Sequence, residues 1–269
     1  MCEFCTKHGD GKIWYRNAAN YANDLLSDIR RRKFITEFLE TTMGGGLRGL
    51  GRLEQLFMKK RRLPQAVVRA MEEKAKAEHF GQVLPIEEIS GIMKGAMSIV
   101  RLPCACRWTM GKKEERCCFA FSYGPDAWYS GFDMGYFGMS SAEGLEPVTA
   151  DEAIKQMEAL EEQGAIHSIW TMMTPFIGAV CNCSAGDCMA LRILSGIGVH
   201  TMACAEHTAV VDRELCTGCG ICSERCQFDA IKSRTDEQGQ SAYIDHAKCY
   251  GCGLCRRACS TNAISVVLR

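Results

Sequence analysis

The sequence lacks net charge: 32 lysines and arginines meet 32 aspartates and glutamates across 269 residues. Such a balance gives no global attraction to nucleic acid or to an anionic membrane surface. The glycine string from Gly44 to Gly51 lacks the GK[ST] ending of a phosphate loop, so a flexible connector or close-packing turn is expected there. No fingerprint supports a Rossmann nucleotide site, and no Ser/His/Asp signature appears. The histidines are few and isolated (His8, His79, His167, His200, His207 and His246), as expected for packed or exposed side chains. No basic n-region followed by an apolar h-region opens the sequence, which points to a reducing cytoplasm. The stretch from Gln163 to Gly186 has no charged residue, yet it contains His167, Pro175 and Asn182. It is therefore expected to form buried strands and not a bilayer helix.

Cysteine, by contrast, is abundant, with 18 residues. Without a secretory leader, grouped cysteines read as metal ligands and not as disulfides. Eight of them form one pattern twice: Cys216, Cys219, Cys222 and Cys226 recur, at an offset of 33, as Cys249, Cys252, Cys255 and Cys259. In each half, glycines (Gly218 and Gly220, Gly251 and Gly253) let a tight loop turn its amides inward, where they can hydrogen-bond sulfur. The fourth cysteine comes after three intervening residues, in a short helix pointing away from its own loop, and so serves the other cluster. Zinc frames do not usually use eight cysteines in two such runs.

This C-terminal region resembles the bacterial two-[4Fe-4S] ferredoxin domain. The resemblance implies one cluster on Cys216, Cys219, Cys222 and Cys259 and a second on Cys249, Cys252, Cys255 and Cys226. The proline that usually follows the fourth cysteine is replaced by Gln227 and Ser260. Proline would rigidify that turn without ligating iron, so the replacement bears on the potential and not on the ligands. Free ferredoxins of this kind tend to be strongly acidic. The charges from Val210 onward are balanced, which favours a domain docked on its own N-terminal half or on a partner.

Upstream, Cys2, Cys5 and His8 form part of a metal corner that lacks a fourth ligand, or else a frayed terminus. A helix is expected over Ala18 to Thr41, its basic run Arg30 to Lys33 forming a solvated face. A second basic run, Lys59 to Arg62, precedes another helix reaching His79; neither run has the interleaved aromatics of a nucleic-acid platform. After a short helix comes Cys104-Ala105-Cys106. Read as extended chain, it turns both thiols to one side. Cys117 and Cys118 follow, and strand alternation lets one of them share that centre. A capping box, Thr149 with Glu152, opens a helix to about Gln163, which Gly164 stops before a strand from Ala165 to Trp170. The chain then reaches Cys181-Asn182-Cys183 and Cys188. Seven clustered cysteines, Cys104, Cys106, Cys117, Cys118, Cys181, Cys183 and Cys188, predict a third [4Fe-4S] centre. Their layout resembles the cysteine-rich region preceding a ferredoxin domain in some iron–sulfur proteins of anaerobes, which implies a cofactor class but no substrate.

The expected fold is α+β: a mostly helical cysteine-rich N-terminal domain with short strands over residues 1–207, then a ferredoxin-like (βαβ)2 dicluster domain over 208–269. The expected function is an oxygen-sensitive electron-transfer protein or subunit that meets a redox partner protein, alone or in a homo- or hetero-complex, without nucleic acid or membrane insertion. The alternative is a reductase whose N-terminal domain holds an open-iron cluster, redox thiols or a flavin.

Overall fold

The computed structural model describes residues 3–57, 63–113, 115–125, 127–236 and 239–269. The basic run Lys59 to Arg62 and Cys2 lie outside the described residues.

The first part of the chain is organised by a seven-stranded sheet of short strands. Its strands are β1 (Gly81–Val83), β2 (Ser98–Leu102), β3 (Cys118–Ser122), β4 (Glu146–Pro147), β5 (Ile166–Thr171), β6 (Ile177–Cys183) and β7 (Met202–Ala203). They lie in the order β4-β2-β3-β6-β5-β1-β7. Neighbours run antiparallel except β1 and β7, which are parallel. The charge-free stretch supplies β5 and β6, and every residue of β5 is buried. Both faces of this sheet are covered, which is why its central strands tolerate so few polar groups.

Alternation along β3 shows the two layers. Phe119 and Phe121 enter one core with Trp14, Ile89, Met93 and Met157, under the helices Ile86–Gly95 and Ala150–Glu162. Ala120 enters the opposite core with Phe38, Trp128, Phe132 and Phe176. The Thr149–Glu152 capping box forms as expected, and Gly164 ends the helix region with φ of 97°.

Three local expectations change. Residues 18–41 do not make one helix: two short 3-10 turns, Ala18–Tyr21 and Asn23–Ser27, come first. Asp28 then caps a new helix, Ile29–Glu37, by accepting from the Arg30 N–H at 2.8 Å. Within the basic run, Arg31 is buried and donates to the carbonyls of Leu25, Met173 and Thr174, so that face is not wholly solvated. The glycine string is helical: a π-helical turn, Phe38–Gly44, runs into the helix Gly45–Phe57. Packing overrides glycine's poor propensity there, since a Cβ on Gly46 would sit 3.2 Å from the Met189 sulfur and one on Gly44 2.8 Å from the Tyr136 ring.

The C-terminal part contains β8 (His207–Val211), β9 (Ile231–Asp236), β10 (Gly239–Ile244) and β11 (Ile264–Leu268), with short helices at Ile221–Arg225 and Leu254–Arg257. β8 pairs with β11 and β9 with β10, both antiparallel, giving two β-α-β halves. The fold is thus α+β. Among the described residues, no helix is long and apolar enough to cross a membrane.

The two parts are packed together. Leu254 enters an apolar cluster with Val83, Ile166, Trp170 and Met202 of the large sheet and its surroundings. Arg256 pairs with Glu87 at 2.6 Å, and Arg257 pairs with Glu162. The Ala205 N–H donates to the Tyr250 carbonyl at 2.9 Å.

Candidate iron–sulfur sites

Two cavities open inside the C-terminal part, each with four thiols on its wall. Cys216, Cys219, Cys222 and Cys259 line the first, and Cys226, Cys249, Cys252 and Cys255 line the second. Each set therefore takes three cysteines from one loop and one from the other half. Neither lining includes a carboxylate or imidazole, so the donor set is the all-thiolate one that a [4Fe-4S] cluster takes. The Ala242 N–H donates to Cys216 Sγ and the Ala230 N–H to Cys226 Sγ, both at 3.4 Å, so amides do reach the ligand sulfurs.

The two cavities differ in surroundings. Cys219 is exposed, with exposed Leu215 and Ile221 nearby in sequence. Cys252 instead packs beside the large sheet, and burial pushes its thiol pKa well up; Cys255 is pushed by burial to about 12. Phe228 and Tyr250 stack at 4.1 Å between centroids and belong to the same interface cluster.

Gln227, the residue where proline is usual, proves to be part of this joint. Its side-chain amide donates to the Gly164 carbonyl, and its oxygen accepts from the Ala185 N–H. Proline could do neither. The glutamine thus ties the turn after Cys226 to the loop between Cys183 and Cys188.

In the N-terminal part, all seven singled-out cysteines come together, though not by the expected geometry. Cys104 is the last extended residue, the N-cap of the helix Ala105–Thr109, and it is this helix that carries Cys106. Cys117 lies just before β3, outside strand alternation, so both it and Cys118 reach Cys104. These three sulfurs lie within 4.8 Å of one another. The CNC segment is a strand as expected, and Cys118 faces Cys181 in register with the sulfurs 4.0 Å apart. Cys104 has hydrogen-bonding contact with Cys106, Cys117, Cys118 and Cys183, which holds its thiol well below the ordinary range. Cys106, Cys118 and Cys183 are pushed up in turn, chiefly by bonding to Cys104. Cys188 is lowered as well, first by its bond to Cys183.

Asn182, between the two cysteines of β6, points the other way. It accepts from His167 Nδ1–H at 2.7 Å and donates to the Cys117 carbonyl at 2.8 Å, fixing the loop that brings Cys117 in. Alternation along CNC was the available signal for this role. On the near side, Arg107 pairs with Glu115 and with Asp187, the latter at 3.4 Å, joining the Cys106 helix to the Cys188 loop.

A cavity of about 70 Å³ adjoins these thiols, lined by six of the seven and by His79. A wider, solvent-open cleft of about 590 Å³ also reaches Cys106, Cys181 and Cys188, past Met43, Met71 and Trp170. His79 donates from Nδ1 to the Thr171 carbonyl at 2.6 Å and is enclosed by the Phe38 and Trp170 rings, each 4.7 Å away. Desolvation lowers its pKa to about 4, so it is neutral at neutral pH. Isolated histidines gave no sign of this placement in the sequence.

Cys5 stands apart from the seven, buried in the Trp14 and Phe80 core with its thiol directed to Glu206 at 3.4 Å. Cys204 is exposed.

Residues 215–263 match the family model of the 4Fe-4S dicluster domain. No curated protein and no solved structure was found to match the chain. All eight cysteines of the two C-terminal cavities fall within the matched residues, and the C-terminal part is accordingly a ferredoxin-type domain that binds 4Fe-4S iron–sulfur clusters with an electron-transfer role.

Proposed function

We propose that the chain is an electron-transfer protein or subunit of a redox complex, with two [4Fe-4S] clusters at its C-terminus and an iron–sulfur centre on its N-terminal thiols. Cys216, Cys219, Cys222 and Cys259 hold the outer cluster; Cys226, Cys249, Cys252 and Cys255 hold the inner one. Residues 1–207 form the domain that carries the third centre, and residues 208–269 the ferredoxin domain. When bound, such clusters take up and release single electrons through iron valence, with every iron closed by thiolate.

The observation that carries this reading is the packing of Cys252 in one apolar cluster with Cys183 and Cys188. Electron tunnelling falls steeply with distance, so an inner-cluster ligand in the same apolar cluster as two N-terminal thiols is what conduction between domains requires. Leu254, Phe228 and Tyr250 keep water out of that joint, and Gln227 fixes its two backbones relative to each other. At the far end, Leu215 is 50% exposed and Ile221 45% exposed near Cys219, an apolar patch against which a redox partner protein docks.

The test is EPR of the anaerobically reduced chain. The inner cluster and the N-terminal centre are expected to show mutual spin broadening. Gln227→Ala is expected to weaken that broadening and slow inter-domain electron transfer by about tenfold or more, with iron content unchanged. Unbroadened, independent signals in the fully reduced wild-type chain would sink the proposal.

One observation favours the reductase reading: the open cleft reaches Cys106, Cys181 and Cys188, with neutral His79 at its wall. A centre with an open iron would bind a small ligand through that cleft. Cyanide added to the reduced chain is expected to leave the visible spectrum unchanged if all irons are thiolate-closed. A saturable cyanide-dependent shift would move the assignment to the reductase.

A further inference from the structure

The wide cleft beside the N-terminal thiols has features that internal packing does not explain. Its border includes Thr41, Thr42 and Met43 of the π-helical turn Phe38–Gly44, and such turns are frequent at functional sites. Gly45 follows directly, with an ordinary helical φ of −62° that asks for no glycine. Its neighbours are glycines for a reason, since a Cβ on Gly44 or Gly46 would press on Tyr136 or Met189. A Cβ on Gly45 would meet nothing within 4 Å, and the open space it would enter is the cleft. Glycine weakens the helix here without relieving any contact, so what it preserves is room.

The lining says what that room suits. Met43, Met71 and Met189, all partly buried, set three thioethers around one space, and the rings of Phe34 and Trp170 join them. Thioethers are adaptable and pack favourably against aromatic rings. Lys74 and Glu78 also line the cleft, one helical turn apart with their charged atoms 3.9 Å from each other, and His79 is neutral. The walls therefore offer a ligand no net charge. At the inner end stand Cys106, Cys181 and Cys188, where an anion would meet thiolate, while a cation would give up its hydration to apolar walls. The volume of about 590 Å³ falls within the range of small-molecule sites, roughly 300–1,000 Å³.

We propose that this cleft binds a small, uncharged aromatic molecule of one or two fused rings, seated beside Gly45 and among the three methionines, next to the N-terminal centre. The site goes beyond both readings above, because it stands whether or not thiolate closes every iron.

The test is calorimetric titration of the anaerobically purified full-length chain with indole, an uncharged two-ring probe, and in parallel with indole-3-carboxylate. Indole is expected to saturate one site per chain and to bind about tenfold or more tighter than the carboxylate, whose charge loses its hydration in the cleft. Gly45→Leu fills the space and favours the helix, so it should weaken indole binding by about tenfold or more while the melting temperature holds or rises. Met71→Gln, on the helix Gln65–Glu78, should weaken indole by about threefold or more and decides the question on its own should leucine not be tolerated at position 45. No saturable indole binding, equal affinity for the carboxylate, or an affinity unchanged by these substitutions would each overturn the site.

Discussion

Stripping the iron from the chain with a chelator under mild oxidation is expected to unfold residues 207–268 while the large sheet stays folded. The apolar core of the ferredoxin domain consists of Ala209, Cys222, Ala230, Ile231, Ile244, Cys249, Cys255 and Ile264. Three of these eight are cysteines aimed at a cavity, and no large aromatic is among them. The strands add little by themselves, because β8 with β11 and β9 with β10 form separate two-stranded sheets, which are marginal in water. A domain this small needs metal to complete its stability, so the free energy of cluster binding is largely its free energy of folding. The large sheet has its own cores around Trp14, Phe119 and Met157 and around Trp128, Phe132 and Phe176. Hydrogen exchange reads the difference directly. Protection across β9 and β10 should fall to near none once iron is removed, while the amides of β5 and β6 remain protected. Persistent protection of β9 and β10 in iron-free chain would overturn this account.

Gly251→Ala is expected to cost the chain its inner cluster. Gly251 has φ of 66°, and a Cβ there would lie 2.1 Å from the His207 carbonyl oxygen. Left-handed backbone alone costs a non-glycine residue about 1–3 kcal/mol. The clash adds to this because β8, which carries His207, is held by its ladder to β11 and cannot simply withdraw. The other half of the duplication repeats the contact: Gly218, at φ of 69°, would place its Cβ 2.5 Å from the Gln240 carbonyl oxygen. The offset of 33 that relates the cysteines also relates Gln240 to His207. Gly253→Ala is the control, since Gly253 has φ of 89° but its Cβ would meet nothing closer than 3.6 Å. It should lose about 1 kcal/mol and keep both clusters. The visible charge-transfer absorbance per chain and the denaturant midpoint together separate the variants. Equal behaviour of the two alanine variants would refute the steric argument.

The ferredoxin half was legible because ligand spacing and turn glycines are local: four cysteines and two glycines in eleven residues leave few ways to fold. The N-terminal half was legible in its residues and not in its geometry. CNC read correctly as strand because β6 sits in a long charge-free run. CAC did not, because Cys104 ends an extended stretch just where a helix begins. Strand alternation misjudged the paired cysteines, since the strand starts only at Cys118. The glycine string and Arg31 failed for the same reason as each other. Tertiary partners, Met189 and Tyr136 for the glycines and the Met173 and Thr174 carbonyls for the arginine, decide what composition leaves open. Gln227 was visible as a departure from pattern, but its partners lie more than forty residues away along the chain.

That one glutamine has a consequence for the duplication as a whole. Two copies of a β-α-β unit start out interchangeable, with a twofold relation and no front or back. Gln227 and the Leu254 contact hold one side against the large sheet, whereas Ser260 and exposed Cys219 belong to the side open to solvent. The symmetric pair has thereby acquired polarity, like a reversible battery cell soldered at one terminal. Exchanging Gln227 and Ser260 between the copies would then not be a neutral shuffle: it would leave the joint without its clasp and place an unused amide in water.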